Sequence, residues 1–225
     1  MEQISCIIPA YNEESRIGNI LQVACGHPLI AEVIVIDDGS KDQTCKIVEE
    51  FNKAKLIKHE KNKGKSRAIL TGIAKAKCEI IFLLDADLLK LKSQNITELI
   101  DPVISGEADI AISLRKNAPW PYRKIGLDFI SGERVFRKKI LAKHIEKIAQ
   151  LPAYGFEVYL NKLIIKNKLK LKIVFWQNVI SPWKHQKGNL WTGIRGEIMM
   201  SWQILKTISI FEIIYQIIKM LTLKI

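Results

Sequence analysis

Asp85 and Asp87 stand two residues apart, directly after an apolar run at residues 80–84. Such a run is typical of a buried strand, so both acids are expected at a strand end. Carboxylates in that position can hold a divalent cation against a phosphate-bearing ligand. The alternative is a strand-end turn in which Asp87 caps local N–H groups. The pair therefore indicates a site only if other motifs converge on it.

A second pair of carboxylates, Asp37 and Asp38, follows another apolar run at residues 33–36. Asp37 could accept a hydrogen bond from a nucleobase N–H, and Gly39 permits a tight turn. The alternative is an ordinary turn in which Ser40 or Asp42 caps the next helix. Taken together with the first pair, this loop favours a binding site.

The polar segment 9–14 follows the first predicted strand. Pro9 ends that strand because it has no N–H to donate to the ladder. Tyr11 could lie flat against a planar ring, and Asn12 or Glu13 could bond a base or a ribose. The alternative is a strand–helix turn with Asn12 as the N-cap.

Gly64 and Lys65 open a predicted helix, whose N-terminus could meet a phosphate. Gly64, Lys65 and Ser66 also resemble the end of a Walker A loop. That loop requires a glycine five residues before Gly64, where His59 stands, so we exclude it. The alternative for the segment is a solvated basic helix start.

Short apolar runs alternate with helical patterns through the first half of the chain. Strands are predicted at 4–8, 33–36, 55–58, 80–84 and 108–113, and helices at 13–25, 42–51, 65–76 and 96–105. This alternation predicts an α/β fold with a mostly parallel central sheet flanked by helices. Ligands of such sheets bind at the carboxyl ends of the strands, so the polar loops should share one edge.

The second half is less regular. Residues 115–122 are predicted to form a loop, residues 132–148 and 156–166 helices, residues 171–176 a strand, and residues from about 194 to the end a long helix. The last part, 203–225, is very apolar and carries one narrow polar stripe, while its embedded charges argue against a membrane span. Two interpretations remain open: an interfacial helix on a membrane surface, or a helix packed on the chain or a partner subunit.

The net charge of the chain is +12, from 35 Lys and Arg against 23 Asp and Glu. Such a charge suits anionic membranes, phosphorylated substrates or nucleic acid. The lysines are scattered and no nucleic-acid motif is present, so we expect no nucleic-acid partner. The N-terminus has no secretory signal pattern, which predicts a cytoplasmic protein. The oligomeric state is left open.

Four motifs stand in order at characteristic spacings: Pro9-Ala10-Tyr11-Asn12-Glu13-Glu14, Ile36-Asp37-Asp38-Gly39-Ser40-Lys41-Asp42, Asn62-Lys63-Gly64-Lys65 and Leu84-Asp85-Ala86-Asp87. Together they resemble family 2 glycosyltransferases of the GT-A fold, over roughly the first half of the chain. The resemblance implies a nucleotide-diphospho-sugar donor, UDP- or GDP-linked, and a divalent cation, Mg²⁺ or Mn²⁺.

The resemblance also assigns residue roles. The donor-binding residues it implies are Pro9, Ala10, Tyr11, Glu13, Asp37, Asp38, Lys65, Asp85 and Ala86. Asp85 and Asp87 form the DxD motif that would hold the metal, and Asp87 is also assigned to catalysis. We expect a GT-A domain at 1–200, divided into a nucleotide-sugar-binding half at 1–114 and an acceptor-side half at 115–200. An amphipathic helix is expected at 201–225.

The segment 131–138 is similar to the acceptor-side glycine and basic stretch of polyprenyl-phosphate sugar transferases. Glu157 falls where many relatives carry a Glu-Asp pair that includes the catalytic base, but Val158 follows it here. Glu157 is therefore either a general base or a helix-start carboxylate. Arg115, just past a predicted strand, could assist the leaving group as a fixed cation.

A phosphate acceptor is already ionised, so it needs cations rather than a strong base. The candidate cations are Arg134, Arg137, Lys138, Lys184 and Arg195. The basic acceptor side favours transfer of a sugar to a polyprenyl phosphate, and the family resemblance implies inversion at the anomeric carbon. The alternatives are transfer to a glycan hydroxyl or a small phosphorylated metabolite, and a non-catalytic nucleotide-sugar-binding relative. A nucleotidyltransferase is disfavoured, because no glycine- and arginine-rich phosphate loop lies near the N-terminus.

Overall fold

The computed structural model describes residues 2–151, 155–182 and 209–225. Its strands are β1 (Ile4–Ala10), β2 (Ile30–Asp37), β3 (Ala54–Lys58), β4 (Ile80–Leu83), β5 (Ile110–Arg115), β6 (Arg134–Arg137) and β7 (Leu171–Trp176). Its helices are α1 (Ile17–Gly26), α2 (Thr44–Glu49), α3 (Lys65–Lys75), α4 (Ser93–Ile104), α5 (Trp120–Ile125), α6 (Ile145–Ala149), α7 (Gly155–Lys166) and α8 (Ile210–Thr222). A short 3-10 helix covers Lys138–Leu141.

The seven strands form one sheet in the order β3-β2-β1-β4-β6-β5-β7, in which only β6 runs antiparallel to its neighbours. All four residues of β4 are buried. Such a continuous apolar run suits a strand covered by helices on both faces, whereas an exposed face would select alternation. The predicted α/β class with a mostly parallel sheet is confirmed.

The helices lie on the sheet through apolar residues spaced three or four apart. On α1 these are Ile17, Ile20, Leu21 and Ala24, all buried. On one side of the sheet they join a core that contains Phe82, and on the other side α3 and α7 cover a core that contains Phe136. No helix within the described residues is long and apolar enough to cross a membrane.

The predicted helix at 132–148 is wrong at its start, because Arg134–Arg137 is the strand β6. This strand fills the space between β4 and β5 and pairs with both. Val135 and Phe136 are residue types that favour strands. Local pattern alone did not identify so short a strand, since its partners lie far away in the sequence.

The structure changes one other predicted element and covers only part of another. The segment 115–122, predicted as a loop, leads into α5, which begins directly after Pro119. Pro121 suits the first turn of this helix, because proline lacks an N–H that a helix start would leave unpaired. The described C-terminal helix is α8, and the expected helical residues 194–208 lie outside the described part of the chain.

The parallel register brings the carboxyl ends of the central strands to one edge. Ala10 of β1 is level with Asp37 of β2, and Ile7 of β1 is level with Leu83 of β4. The Leu84 N–H donates to the Ile7 carbonyl at 3.0 Å, which fixes the exit of the chain toward the acidic pair. The loops after β1, β2 and β4 therefore meet at the same edge.

Candidate active site

Asp37 ends β2 with its carboxylate buried at the shared edge, where it is only 2% exposed. Its Oδ2 accepts the Ser40 N–H at 3.1 Å. Its Oδ1 is buried and has no hydrogen-bond partner among the described residues. A buried carboxylate oxygen of this kind is costly unless a donor reaches it. Asp37 is therefore suited to accept an N–H from a ligand.

The Cys45 thiol lies beside the Asp37 carboxylate. Burial, and then this neighbouring acid, raise the pKa of Cys45 to about 11. The thiol is thus neutral near pH 7 and interacts with Asp37 as a hydrogen-bond donor, not as a second negative charge.

The loop after β1 is joined to the loop after β2 by hydrogen bonds. The Asn12 N–H donates to Ser40 Oγ at 2.9 Å, and Asn12 Oδ1 accepts the Lys41 N–H at 2.9 Å. Asn12 has a φ of 55°, which asparagine tolerates better than most residues. Tyr11 is 43% exposed, so its ring is open to a planar ligand.

Other predicted donor residues have mainly structural contacts. The Ala10 carbonyl accepts the Asp38 N–H at 2.8 Å, and Pro9 pairs with Ile36 in the sheet. The buried Glu13 carboxylate is 2.7 Å from Arg16 Nε. Ala86 packs in the core. These residues shape the edge on which Tyr11 and Asp37 sit.

Asp38 fastens the segment before α3. Its Oδ1 accepts the Lys63 N–H at 2.9 Å and its Oδ2 the Gly64 N–H at 2.8 Å. His59 Nδ1 is 2.7 Å from Oδ1, and His59 Nε2 is 3.0 Å from Thr71 Oγ1. Asp38 therefore fixes the loop that presents Lys65 and is itself occupied by protein donors.

Lys65, the first residue of α3, lies between two acids of the site. Its Nζ is 2.7 Å from Asp85 Oδ1 and 3.2 Å from Glu157 Oε1. Burial by itself would lower the pKa of Lys65, but the two carboxylates together raise it. The Phe156 N–H donates to Ser66 Oγ at 3.1 Å, which joins the starts of α3 and α7.

Gly132 closes this cluster from the side of β6. A Cβ at this position would lie 2.6 Å from both Asp85 carboxylate oxygens and from Lys65 Nζ. A Cβ atom does not approach other atoms this closely, so a side chain at this position would force the Asp85 carboxylate or the Lys65 ammonium group to move. The sequence analysis expected an acceptor-side glycine in the segment 131–138, but it did not predict the contact of Gly132 with Asp85 and Lys65.

Arg115 ends β5 and is held by two buried acids. Its guanidinium is 3.4 Å from Asp128 Oδ2 and 3.5 Å from Glu133 Oε1. Burial would lower the pKa of Arg115, but these acids, with further contributions from Asp85 and Asp87, raise it. Arg115 is thus a fixed cation within electrostatic reach of the DxD motif.

Glu133 is fully buried and accepts the hydroxyls of Ser113 at 2.6 Å and Ser131 at 2.9 Å. Burial raises the pKa of Glu133, and likewise that of Asp128. Sequence reasoning missed Glu133 and His59, because both act through residues that lie near them only in the fold. No local pattern distinguishes them from ordinary polar residues.

The expected acceptor cation Arg134 is fully buried. Its guanidinium donates to the carbonyls of Ser131 and Phe129 and to Asn161 Oδ1, each at 2.7 Å. Burial lowers its pKa to about 10, which leaves it charged near neutral pH. Arg134 therefore links β6 to α7, and its N–H donors bond to the protein instead of to an acceptor substrate.

Arg137 and Lys138 lie away from the site. Arg137 pairs with Ile80 at the start of β4, three residues or about 10 Å along the strand from the level of Leu83. Arg137 forms an ion pair with Glu2 at 2.8 Å, and Lys138 Nζ donates to the Ala76 carbonyl at 2.9 Å. The structure places both at the opposite edge of the sheet.

Two further expected cations, Lys184 and Arg195, lie outside the described residues. Within those residues Lys65 and Arg115 are the cations that the fold brings to the acidic pair. Both were named from the sequence, but their partners were not.

Asp85 and Asp87 offer hard oxygen donors, which suit Mg²⁺ or Mn²⁺. No group of three or more His, Cys, Asp or Glu side chains able to hold a metal occurs within the described part of the chain. Oxygens of a diphosphate or of water could complete the coordination of a cation held by these two carboxylates. Mg²⁺ commonly binds in this way, through one or two carboxylates plus substrate phosphates.

The sequence model of Glycosyl transferase family 2 matches residues 5–167. A UDP-N-acetylglucosamine–dolichyl-phosphate N-acetylglucosaminyltransferase from Methanococcus voltae is 33% identical over 211 residues, covering 76% of this chain and 82% of its own. A dolichol-phosphate mannosyltransferase from Pyrococcus furiosus is 33% identical over 195 residues, covering 74% of this chain. The chain spans about half (53%) of the length of that second relative.

A solved structure of glucosyl-3-phosphoglycerate synthase from Mycobacterium tuberculosis, in complex with Mn²⁺ and UDP-glucose, is similar in fold. The TM-score is 0.71 at 22% sequence identity, and the match covers 92% of this chain and 77% of the other. At this identity the likeness concerns the fold.

Proposed function

This chain belongs to glycosyl transferase family 2, and we propose that it transfers a sugar from a UDP- or GDP-linked donor to a polyprenyl phosphate with inversion at the anomeric carbon. The observation that carries the proposal is the meeting of Asp37, Lys65 and Asp85 at one sheet edge. Lys65 bridges to the acidic motif at 2.7 Å, and the buried Oδ1 of Asp37 has no described partner. The relatives with dolichyl-phosphate names support the acceptor class.

The nucleoside would bind over the loops after β1 and β2. Asp37 would accept an N–H of the base, a role for which its buried Oδ1 is suited. The exposed ring of Tyr11 would stack on the base. Uracil and guanine both present an N–H to an acceptor, so this contact is compatible with either.

The diphosphate would bind over the DxD motif. Asp85 and Asp87 would hold a divalent cation, which when bound neutralises the charge that develops on the leaving diphosphate. Arg115, fixed by Asp128 and Glu133, would add a preorganised positive charge on the same side. Preorganisation matters because a cation that is already held needs no reorganisation during the reaction.

The transfer itself would be a single displacement. An oxygen of the acceptor phosphate attacks the anomeric carbon, the bond from that carbon to the diphosphate oxygen breaks, and the nucleoside diphosphate leaves with the electron pair. No proton must be removed from a phosphate that is already ionised. Glu157, 3.2 Å from Lys65, would then orient the lysine, whereas a hydroxyl acceptor would require Glu157 as the base.

A protein with such an acceptor would work at a membrane surface. We propose cytoplasmic localisation with peripheral membrane contact, the domain at 1–200 carrying the chemistry and the segment 201–225 making the contact. The proposal includes no nucleic-acid partner.

The test is transfer of labelled sugar by the full chain from UDP- and GDP-sugars, with and without Mn²⁺ or Mg²⁺. The acceptors are a short water-soluble prenyl phosphate, the matching free prenol and 3-phosphoglycerate. We expect metal-dependent transfer to the prenyl phosphate, reduced at least about a hundredfold in Asp87→Ala. Asp101→Ala, an exposed change on α4, is the matched control and should keep full activity.

Full activity of Asp87→Ala would refute the metal assignment. Preference for the free prenol or for 3-phosphoglycerate would refute the acceptor class. Donor binding with no turnover on any acceptor would indicate a non-catalytic nucleotide-sugar-binding protein.

A further inference from the structure

The helix α8 has apolar residues on both its buried and its exposed face. Met220 is fully buried, and Ile213, Ile217 and Leu221 pack against the core that α7 also covers. Five large apolar side chains point away from the protein: Ile210, Phe211, Ile214, Tyr215 and Ile218, which are 60%, 85%, 50%, 48% and 55% exposed. We call these five residues the outer face of α8.

The polar residues of α8 do not occupy the centre of the outer face. Gln216 is fully buried, and its Nε2 donates to Glu212 Oε1 at 3.2 Å. Glu212 also pairs with Lys162 of α7 at 3.5 Å. An ordinary surface helix directs its polar side outward. Here polar groups are engaged with the protein while the most apolar side is exposed.

The helix α8 is capped at its start and hydrogen-bonded to the sheet after its end. Ser209 caps the helix by accepting the Glu212 N–H at 3.2 Å. After the helix, the Leu171 N–H donates to the Leu223 carbonyl and the Ile225 N–H to the Leu171 carbonyl, both at 3.0 Å. These bonds hold α8 against the start of β7, so the outer face is presented by a docked helix.

The elements against which α8 packs are rich in lysine. From Val158 to Pro182, which includes most of α7 and all of β7, the sequence contains no Asp or Glu and carries lysines at 162, 166, 168, 170 and 172, of which Lys162 pairs with Glu212 and Lys172 with Glu107. On α8 itself Lys219 is exposed, and Glu212 is the one acid from residue 209 to the end. An apolar stripe bordered by lysines with almost no acids is complementary to an anionic lipid surface.

We propose that the outer face of α8 docks on an anionic membrane surface, with its apolar side chains among the lipid tails and the neighbouring lysines at the headgroups. A helix of 13 residues is about 20 Å long and can lie flat in the interface, as its length forbids a span. The proposal rests on the proposed function in one respect, that the acceptor resides in a membrane. Because α8 packs on α7, docking would hold the helix that carries Glu157 at a set height above the lipid.

The test is sedimentation of the full chain with vesicles that contain neither donor nor acceptor. One set is phosphatidylcholine alone and the other contains about one third phosphatidylglycerol. We expect binding to the anionic vesicles that weakens as salt is raised. Phe211→Glu should reduce the partition coefficient at least about tenfold, since it replaces a large apolar side chain with a charge. Ile145→Glu, on α6, makes a similar change at an exposed apolar residue outside the outer face and should bind as wild type does.

Circular dichroism should show all three proteins folded. A wild-type chain that stays in the supernatant with anionic vesicles would overturn the proposal, and so would equal binding by Phe211→Glu. Light scattering that shows a dimer, converted to monomer by Phe211→Glu, would assign the outer face to a second copy instead.

The two proposals can fail separately. Transfer to a water-soluble prenyl phosphate by a chain that never binds vesicles would overturn the membrane contact and leave the proposed sugar transfer intact. Vesicle binding by the outer face, with no transfer to any prenyl phosphate, would do the reverse.

Discussion

Lys65 Nζ lies 2.7 Å from Asp85 Oδ1, so the first residue of a helix is paired with the first acid of the DxD motif. The two residues are twenty positions apart, and they meet because α3 and β4 both direct these ends to the same sheet edge. The pair leaves Asp85 partly neutralised before any donor arrives. A cation held at the motif would therefore depend more on Asp87 and on the oxygens of the diphosphate.

Gly132→Ala should disrupt this ion pair without changing any charge. The added methyl group would lie 2.6 Å from Asp85 and from Lys65 Nζ, so one of them must move. We expect transfer activity to fall at least about tenfold, in line with the sensitivity of reactions to displacements of about 1 Å. Gly26→Ala is the matched control, because a Cβ there meets nothing within 4 Å. Equal activities of the two variants would contradict the crowding argument.

Asp37→Asn should weaken nucleotide binding while the fold is kept. The amide oxygen can still accept the Ser40 N–H, but the nitrogen that replaces Oδ1 cannot accept from a base. Loss of a hydrogen bond to a charged group costs about 1.5–3 kcal/mol, or roughly a tenfold to hundredfold rise in Kd. Calorimetric titration of the wild type and the variant with UDP and GDP measures this change in Kd. An unchanged Kd would place the base elsewhere.

Asp38→Ala should destabilise the protein, because several protein donors converge on this carboxylate. The Lys63 N–H and the ring of His59 would lose their acceptor, and the Gly64 N–H would keep only its bond to Asn62 Oδ1 at 3.2 Å. A stranded buried donor costs about 1–3 kcal/mol, so we expect the free energy of unfolding to drop by at least about 2 kcal/mol. Urea denaturation measures the change. Asp101→Ala, an exposed aspartate, should leave the unfolding midpoint where it is.

Glu133→Gln should change how stability depends on pH. Burial raises the folded-state pKa of Glu133 above its ordinary value of 4.5. At pH values between the ordinary pKa and the raised pKa, the folded protein binds more protons than the unfolded chain. The contribution of Glu133 to stability therefore falls as pH rises through this range. The unfolding free energy of the variant, relative to wild type, should therefore rise from below pH 4.5 to neutral pH.

Urea unfolding at a series of pH values measures this difference. Glu98→Gln, an exposed change on α4, should give a difference that stays flat over the same range. A difference for Glu133→Gln that decreases with pH would contradict the assigned direction of the shift.

Several features followed from the sequence alone. The alternation of apolar runs and helical patterns predicted the α/β class, because the periodicity of each element is local. The acids after β2 and β4 were placed correctly at strand ends for the same reason. Four motifs in order were enough for the family resemblance, which the family match over residues 5–167 confirms.

The tertiary structure decided which of these residues act on each other. β6 is a strand between β4 and β5, and this pairing buries Arg134 and links it to α7. The same pairing places Arg137 at the opposite edge of the sheet. Neither position could be recognised from the sequence. Whether a charged side chain faces a ligand or the core depends on strand direction and long-range pairing, which no local pattern encodes. The same holds for α8, whose amphipathic stripe was visible in the sequence. Only its docking on α7 revealed that the exposed face is the apolar one.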